Sequence, residues 1–177
     1  VPDTTEVKLD PKTGTLIRDG IPSIINPDDK GGLEYALQLK EQYGAEVTVI
    51  TMGPPQAEAV LREAFAMGAD RAILLTSRKF AGADTLATSN ALAGALRVLD
   101  YDLILAGRQA IDGDTAQVGP QIAEHLGIAQ VSYLEDLEFD GKKTFRIKKQ
   151  LEDGYQIVEV ESPCLLTCLA SAVKPRY

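Results

Sequence analysis

The stretch DLILAGRQAIDGDTAQVGPQIAEHLG, residues 102–127, constrains the fold most, because it reads as apolar strand, glycine-marked loop and helix entry in immediate succession. Leu103, Ile104, Leu105 and Ala106 make a run of the length of a buried parallel strand, and Val118, Ile122, Ala123 and Leu126 then recur at helical spacing. Gly107 and Gly113 punctuate the loop between them. With Asp114 or Thr115 as cap, the helix would turn its free N–H groups and positive dipole end toward any anion above the strand's carboxyl end. A nucleotide diphosphate fits that description. Neither GxGxxG nor GxxxxGK[ST] occurs, and Asp112 and Asp114 would repel a phosphate set against them, so the anion has to meet backbone. Two aspartates flanking a glycine more commonly shape turns; otherwise they accept ribose hydroxyls or hold Mg²⁺.

A chain of 177 residues, 45% of them hydrophobic, has enough material for one domain with a core, and neither repeats nor a Pro-rich linker divides residues 1–177. The net charge of −8 argues against nucleic-acid binding, and the densest basic cluster, Arg146, Lys148 and Lys149, reads as a solvated strand face. No apolar run approaches the ~20 residues that span a bilayer, and no basic-then-apolar leader opens the chain. The expectation is a cytoplasmic protein without membrane insertion. Cys164 and Cys168 fall on one face of a predicted strand, too far apart for a disulfide. With the one histidine, His125, on a distant helix near its last carbonyls, they read as small core residues and not as metal ligands.

Helix and strand signals alternate, the mark of an α/β fold with a parallel sheet between helices. Helices are expected over 30–43, 56–67, 84–99 and 115–126, and strands over 46–52, 71–75, 102–106 and 164–168. Between 130 and 161 the period changes to two, with Asp140-Gly141 as a hairpin turn, which predicts an antiparallel insertion with one wet face. The turn-like opening Val1-Pro2-Asp3-Thr4-Thr5 and the unterminated close over 174–177 predict that a first strand and further chain lie outside residues 1–177.

These segments together resemble the small (beta) subunit of electron transfer flavoproteins over essentially the whole chain. GRQAIDGDTAQVGPQIAEHLG resembles that family's nucleotide loop, AMGADRA (66–72) and INPDD (25–29) resemble two further segments, and IKKQLEDGYQIVEVESPCLLT (147–167) resembles its signature. The resemblance implies a Rossmann-like three-layer, adenine-nucleotide-binding domain that pairs with a larger alpha subunit carrying a redox flavin. It implies nucleotide contacts from Asn26, Pro27, Asp28 and Asp29, from Met52, and from the loop Gly107, Arg108, Gln109, Ala110, Ile111, Asp112, Gly113, Asp114, Thr115, Ala116, Gln117 and Val118. Met52 and Gly107 follow predicted strands at the edge where open α/β sheets bind ligands. The Arg108 guanidinium suits a phosphate, an anionic flavin or a bridge to the partner subunit.

Conventional members hold AMP in this subunit, whereas electron-bifurcating members hold a second FAD. AGADTLATSNAL (81–92) resembles the bifurcating branch, and Asp84, Thr85, Thr88 and Ser89 put more hydrogen-bonding side chains at a helix start than one cap requires. The expected function is therefore FAD binding and bifurcation of electrons from NADH to ferredoxin and to the alpha-subunit flavin that serves a flavin-containing dehydrogenase. The flavin supplies the redox chemistry, so no catalytic side chain is assigned. The alternatives are a conventional electron carrier with structural AMP, a universal-stress-like ATP-binding module, and a nucleotide-activating ligase; the glycine-rich loops of the last two are not visible.

Overall fold

The computed structural model describes residues 1–3, 9–12, 14 and 21–177. Helix α1 (Pro27–Tyr43) starts earlier than the apolar spacing predicts. Its first residue is a proline, whose fixed φ and missing N–H suit a first helical turn, and Asp28 and Asp29 follow at the positive dipole end. It stops at Gly44, left-handed at φ 71°, whose N–H meets the Lys40 carbonyl. Strand β1 (Thr48–Met52), helix α2 (Glu58–Met67) and strand β2 (Arg71–Leu75) follow. Helix α3 (Thr85–Leu96) is capped by Asp84, which accepts from the Ala87 N–H. It ends short of residue 99 because the chain tightens into i→i−3 bonds, Val98 to Ala95 and Leu99 to Leu96.

After strand β3 (Leu103–Gly107), helix α4 (Val118–Leu126) corrects the expected start at 115. Asp114 and Ala116 take left-handed φ values of 51° and 53°, which no helix continues, so neither Asp114 nor Thr115 is the cap. Gln117 occupies that position without a side-chain cap bond. The antiparallel region holds three strands, β4 (Ala129–Phe139), β5 (Thr144–Leu151) and β6 (Gly154–Glu161), one more than a single hairpin at Asp140-Gly141 supplies. The Asp140 carboxylate accepts from the N–H groups of Lys142, Lys143 and Thr144, which fixes the first turn. The chain returns in strand β7 (Cys164–Cys168).

The strands form a parallel pair β1-β2 and a five-stranded sheet in the order β3-β7-β4-β5-β6, parallel through β4 and antiparallel beyond it. Strand β7 lies inside the sheet, between β3 and β4, and is wholly buried. Cys164, Leu166 and Cys168 pack on one side with Tyr35, Leu134, Phe145 and Ile147, while Leu165 packs on the other with Ala93, Leu96, Ile122 and Ala123. Both cysteines are core residues on one face, and burial pushes the Cys164 thiol up to about 11 and that of Cys168 up further. The Gly31-Gly32 pair admits this packing: a Cβ on Gly31 would lie 3.2 Å from the Leu169 carbonyl oxygen.

The reading of β3 as a buried strand needs correction, for it is only half-buried. Its far edge carries no strand among the described residues, and neither does the facing edge of β1. The same helical layer nevertheless covers both, since Ile50 of β1 and Ile104 of β3 pack against one cluster of α3 and α4 side chains. At the amino end Val1 exchanges backbone hydrogen bonds with Ile24, and Pro2 bridges Ser23; Thr4 and Thr5 of the turn-like opening lie outside the described residues.

Beyond β7 a strap over residues 169–176 runs back along α1. Arg176 grips the buried Glu34 through both carboxylate oxygens and also bonds Glu41. The guanidinium holds the Glu34 carboxyl below the usual carboxylate range. A depressed folded value gives stability that is present above the unfolded value, about 4.3, and lost as pH falls through the folded one. Arg176→Ala is expected to lower stability at pH 7 by about 1 kcal/mol, a modest figure because the Arg176 guanidinium keeps solvent access. The deficit should vanish toward about pH 3, as read by denaturant titrations at several pH values.

Candidate nucleotide site

The parallel connectivity brings the carboxyl ends of β1 and β3 and the amino ends of α1, α3 and α4 to one edge of the domain. Met52 closes β1, and the Gly53 N–H is tied to the Leu75 carbonyl. The loop after β3 is held from α1. Gly107 donates to Asp29 Oδ1 at 2.6 Å, Gln109 to Asp28 Oδ2 at 3.3 Å, and Ile111 to Asn26 Oδ1 at 3.1 Å, while Asn26 Nδ2 donates to the Gln109 carbonyl. Asn26, Asp28 and Asp29, expected to face nucleotide, thus spend these side-chain atoms on the loop's backbone. Asp29 keeps solvent access, yet desolvation by the surrounding protein pushes its carboxyl above the usual range, against the pull of the Gly107 N–H. Arg108 Nε lies 3.4 Å from Asp28 Oδ2, and its backbone N–H meets the Cys168 carbonyl.

The far half of the loop is built differently. Asp114 donates its N–H to the Ala110 carbonyl and takes a short bond from the Gln109 side-chain amide, so residues 110–114 close on themselves. Asp112, Asp114 and Gly113 are turn-formers here, and a Cβ on Gly113 would meet nothing within 4 Å. At the mouth, Thr85 Oγ1 bonds Gln117 Oε1 at 3.1 Å, joining the start of α3 to the residue before α4. Gly119 is buried where its missing Cβ would stand 2.8 Å from Thr167 Cγ2, so α4 can seat its first turn directly on β7.

This arrangement separates the sequence candidates. Met52, Thr85, Thr88 and the loop from Gly107 to Val118 lie along one edge, with Asp84 committed to capping α3. Ser89 is set apart: it is fully buried, donates to the Leu86 carbonyl and lies 3.2 Å from His125 Nε2 between α3 and α4. His125 therefore meets Ser89, not the last carbonyls of its helix. The strap is the part of the site that the sequence did not announce, since Ala170 N–H donates to Asp28 Oδ1 at 2.8 Å across 142 residues of chain. No local pattern marks such a contact.

The start of α4 fits the anionic part of a nucleotide. The first-turn amides of α4 at Val118 and Gly119 receive no side-chain cap, because Gln117 is turned to Thr85, so the positive helix end is left for an anion. Among the described residues no group of three or more His, Cys, Asp or Glu side chains is disposed to hold a metal ion. No helix among them is long and apolar enough to cross a membrane.

Comparison with known proteins agrees with this architecture. Residues 13–177 match the model of the electron transfer flavoprotein domain. The chain is 64% identical over 177 residues to an electron transfer flavoprotein subunit beta of Clostridium acetobutylicum, covering 100% of this chain and 68% of that protein. It is 59% identical over 179 residues to the caffeyl-CoA reductase-Etf complex subunit CarD of Acetobacterium woodii, covering 100% and 68%. Similarity extends to the acryloyl-CoA reductase electron transfer subunit gamma of Anaerotignum propionicum, 53% over 182 residues, covering 100% and 67%.

Proposed function

Because this chain belongs to the electron transfer flavoprotein family as a beta subunit, with an electron-transfer role and an alpha-subunit partner, we propose that it holds a second FAD and takes part in electron bifurcation. The observation that carries the reading is the mouth of the site: α3 offers Thr88 beside a helix start already capped by Asp84 and tied through Thr85 to Gln117. That is more hydrogen-bonding capacity than the helix consumes, and a ribityl chain or ring edge would use it. The uncapped start of α4 is the place for the pyrophosphate, with the loop after β3 beneath the AMP half. Relatives named as parts of CoA reductase complexes support the same branch.

When bound, the flavin would supply hydride acceptance from NADH and one-electron release toward ferredoxin and toward the alpha-subunit flavin that serves a dehydrogenase. This chain's residues hold, orient and shield; none is assigned as acid, base or nucleophile. The same reading places the protein in the cytoplasm, takes residues 1–177 as a single domain with a C-terminal arm beyond it, and treats the bare β1 and β3 edges as the slot of one more parallel strand.

Conventional AMP binding is the second reading, favoured by a loop already closed on α1 through Asn26, Asp28 and Asp29, which suits a structural ligand. Denaturing the full heterodimer and separating the released nucleotides decides between them. Two FAD and no AMP is the expected result; one FAD with one AMP overturns the bifurcating reading. Thr88→Ala should lower FAD retention in this subunit about fivefold, the worth of one lost hydrogen bond, while leaving AMP affinity unchanged in the same preparation.

A further inference from the structure

We propose that Asp28 is a positioning residue that couples the strap after β7 to the nucleotide loop after β3, so that strap docking and nucleotide binding strengthen each other. The inference rests on the nucleotide reading of the site and adds its regulation. Asp28 is 8% exposed, and its two oxygens face different parts of the chain: Oδ1 takes the Ala170 N–H at 2.8 Å, Oδ2 the Gln109 N–H at 3.3 Å. The Arg108 guanidinium stands 3.4 Å from that second oxygen, and the Arg108 N–H holds the Cys168 carbonyl. One buried carboxylate therefore ties the root of the strap to the start of the loop.

The strap's far end is pinned to the same helix by Arg176 on Glu34 and Glu41, and its root touches α1 again where Leu169 crosses Gly31. It is thus attached at both ends of a rigid rod whose first turn shapes the loop. Lifting it removes the Ala170 donor and lets the carboxylate turn away from Gln109. Nucleotide that orders the loop must, by thermodynamic reciprocity, tighten the strap by the same factor. A group that docks beside the strap would then be felt at the nucleotide without touching it.

The test compares amide hydrogen exchange in the full-length heterodimer, freed of the nucleotide in this subunit and then saturated with AMP, the part shared by both candidate ligands. Exchange at Ala170 is expected to slow about fivefold or more with AMP in the wild type. In Asp28→Asn the amide group cannot accept on both sides, so AMP affinity should fall about tenfold and the AMP dependence at Ala170 should disappear. Arg176→Gln, a part-exposed change that leaves the core intact, should speed exchange along the strap and weaken AMP about threefold. AMP binding with no change at Ala170, AMP-dependent slowing that survives in Asp28→Asn, or a released strap with unaltered AMP affinity each overturns the coupling. A wild-type heterodimer that takes neither AMP nor FAD in this subunit overturns the nucleotide reading, and the coupling with it.

Discussion

Gly107→Ala is expected to destabilise the domain by about 3 kcal/mol and to strip it of nucleotide, the largest effect of any single methyl group in the site. The added Cβ would stand 2.7 Å from the Asp29 nitrogen and 2.9 Å from both the carbonyl carbon and Cβ of Asp28. These are first-turn atoms of α1, not the far end of a flexible side chain, so relief requires moving the helix or the strand. Either movement breaks the 2.6 Å bond from Gly107 to Asp29 and the neighbouring bonds to Gln109 and Ile111. A loop opened by only about 1.4 kcal/mol would already bind about tenfold more weakly. Thermal unfolding of the heterodimer, with nucleotide content measured on the same sample, checks both parts. Wild-type stability together with full nucleotide content would show that the loop does not depend on this close approach. Gly113→Ala is the control: its Cβ points into open space, and it should leave both quantities nearly unchanged.

The sequence disclosed much of this because several of its signals are local. Strands 71–75 and 164–168 stand where their apolar runs place them, and Asp84 caps α3 as its position before Thr85 implies. Met52 and Gly107, which the resemblance implies as nucleotide contacts, both end strands at one edge of the domain. Helix α4 starts later than its spacing predicts because Asp114 and Ala116 adopt left-handed conformations that are rare for residues with a Cβ, and propensity does not foresee them. Helix α1 starts earlier than apolar spacing predicts because its first residues suit proline geometry and charge, not apolar spacing. Least legible was the use of Asn26, Asp28 and Asp29. Their partners lie about eighty residues away in the loop after β3, and for Ala170 142 residues away in the strap. Helix-start polarity is equally compatible with capping, ligand contact and long-range clamping, and only the packed structure assigns the third. Ser89 shows the converse: its spacing from Asp84 and Thr85 placed it with the ligand, whereas helix rotation turns it inward to His125.

Leu166→Ala is expected to cost about 4 kcal/mol, a large share of the 5–15 kcal/mol that holds a typical domain together. Leu166 has no exposed surface and sits at the midpoint of β7, in register with Leu105 on one side and Val131 on the other. It therefore lies inside the parallel half of the sheet, next to β4, the strand at which the pairing turns antiparallel. Its face shares a cluster with Tyr35 of α1, Leu134 of β4 and Phe145 and Ile147 of β5. Truncation opens a cavity bordered by three strands and a helix, none of which can collapse into it without breaking its ladder. Because β7 also delivers Cys168 and the root of the strap, the damage should reach the nucleotide loop as well as the core. Urea titration should show a lower midpoint with an unchanged slope, the sign of lost stability in an otherwise intact cooperative unit. Exchange measured below the transition should then speed up together at β3, β4 and β5. Loosening confined to the parallel strands β3 and β4 would instead mean that the two halves of the sheet fold as separate units, and that the contact of Leu166 with Phe145 and Ile147 does not join them energetically.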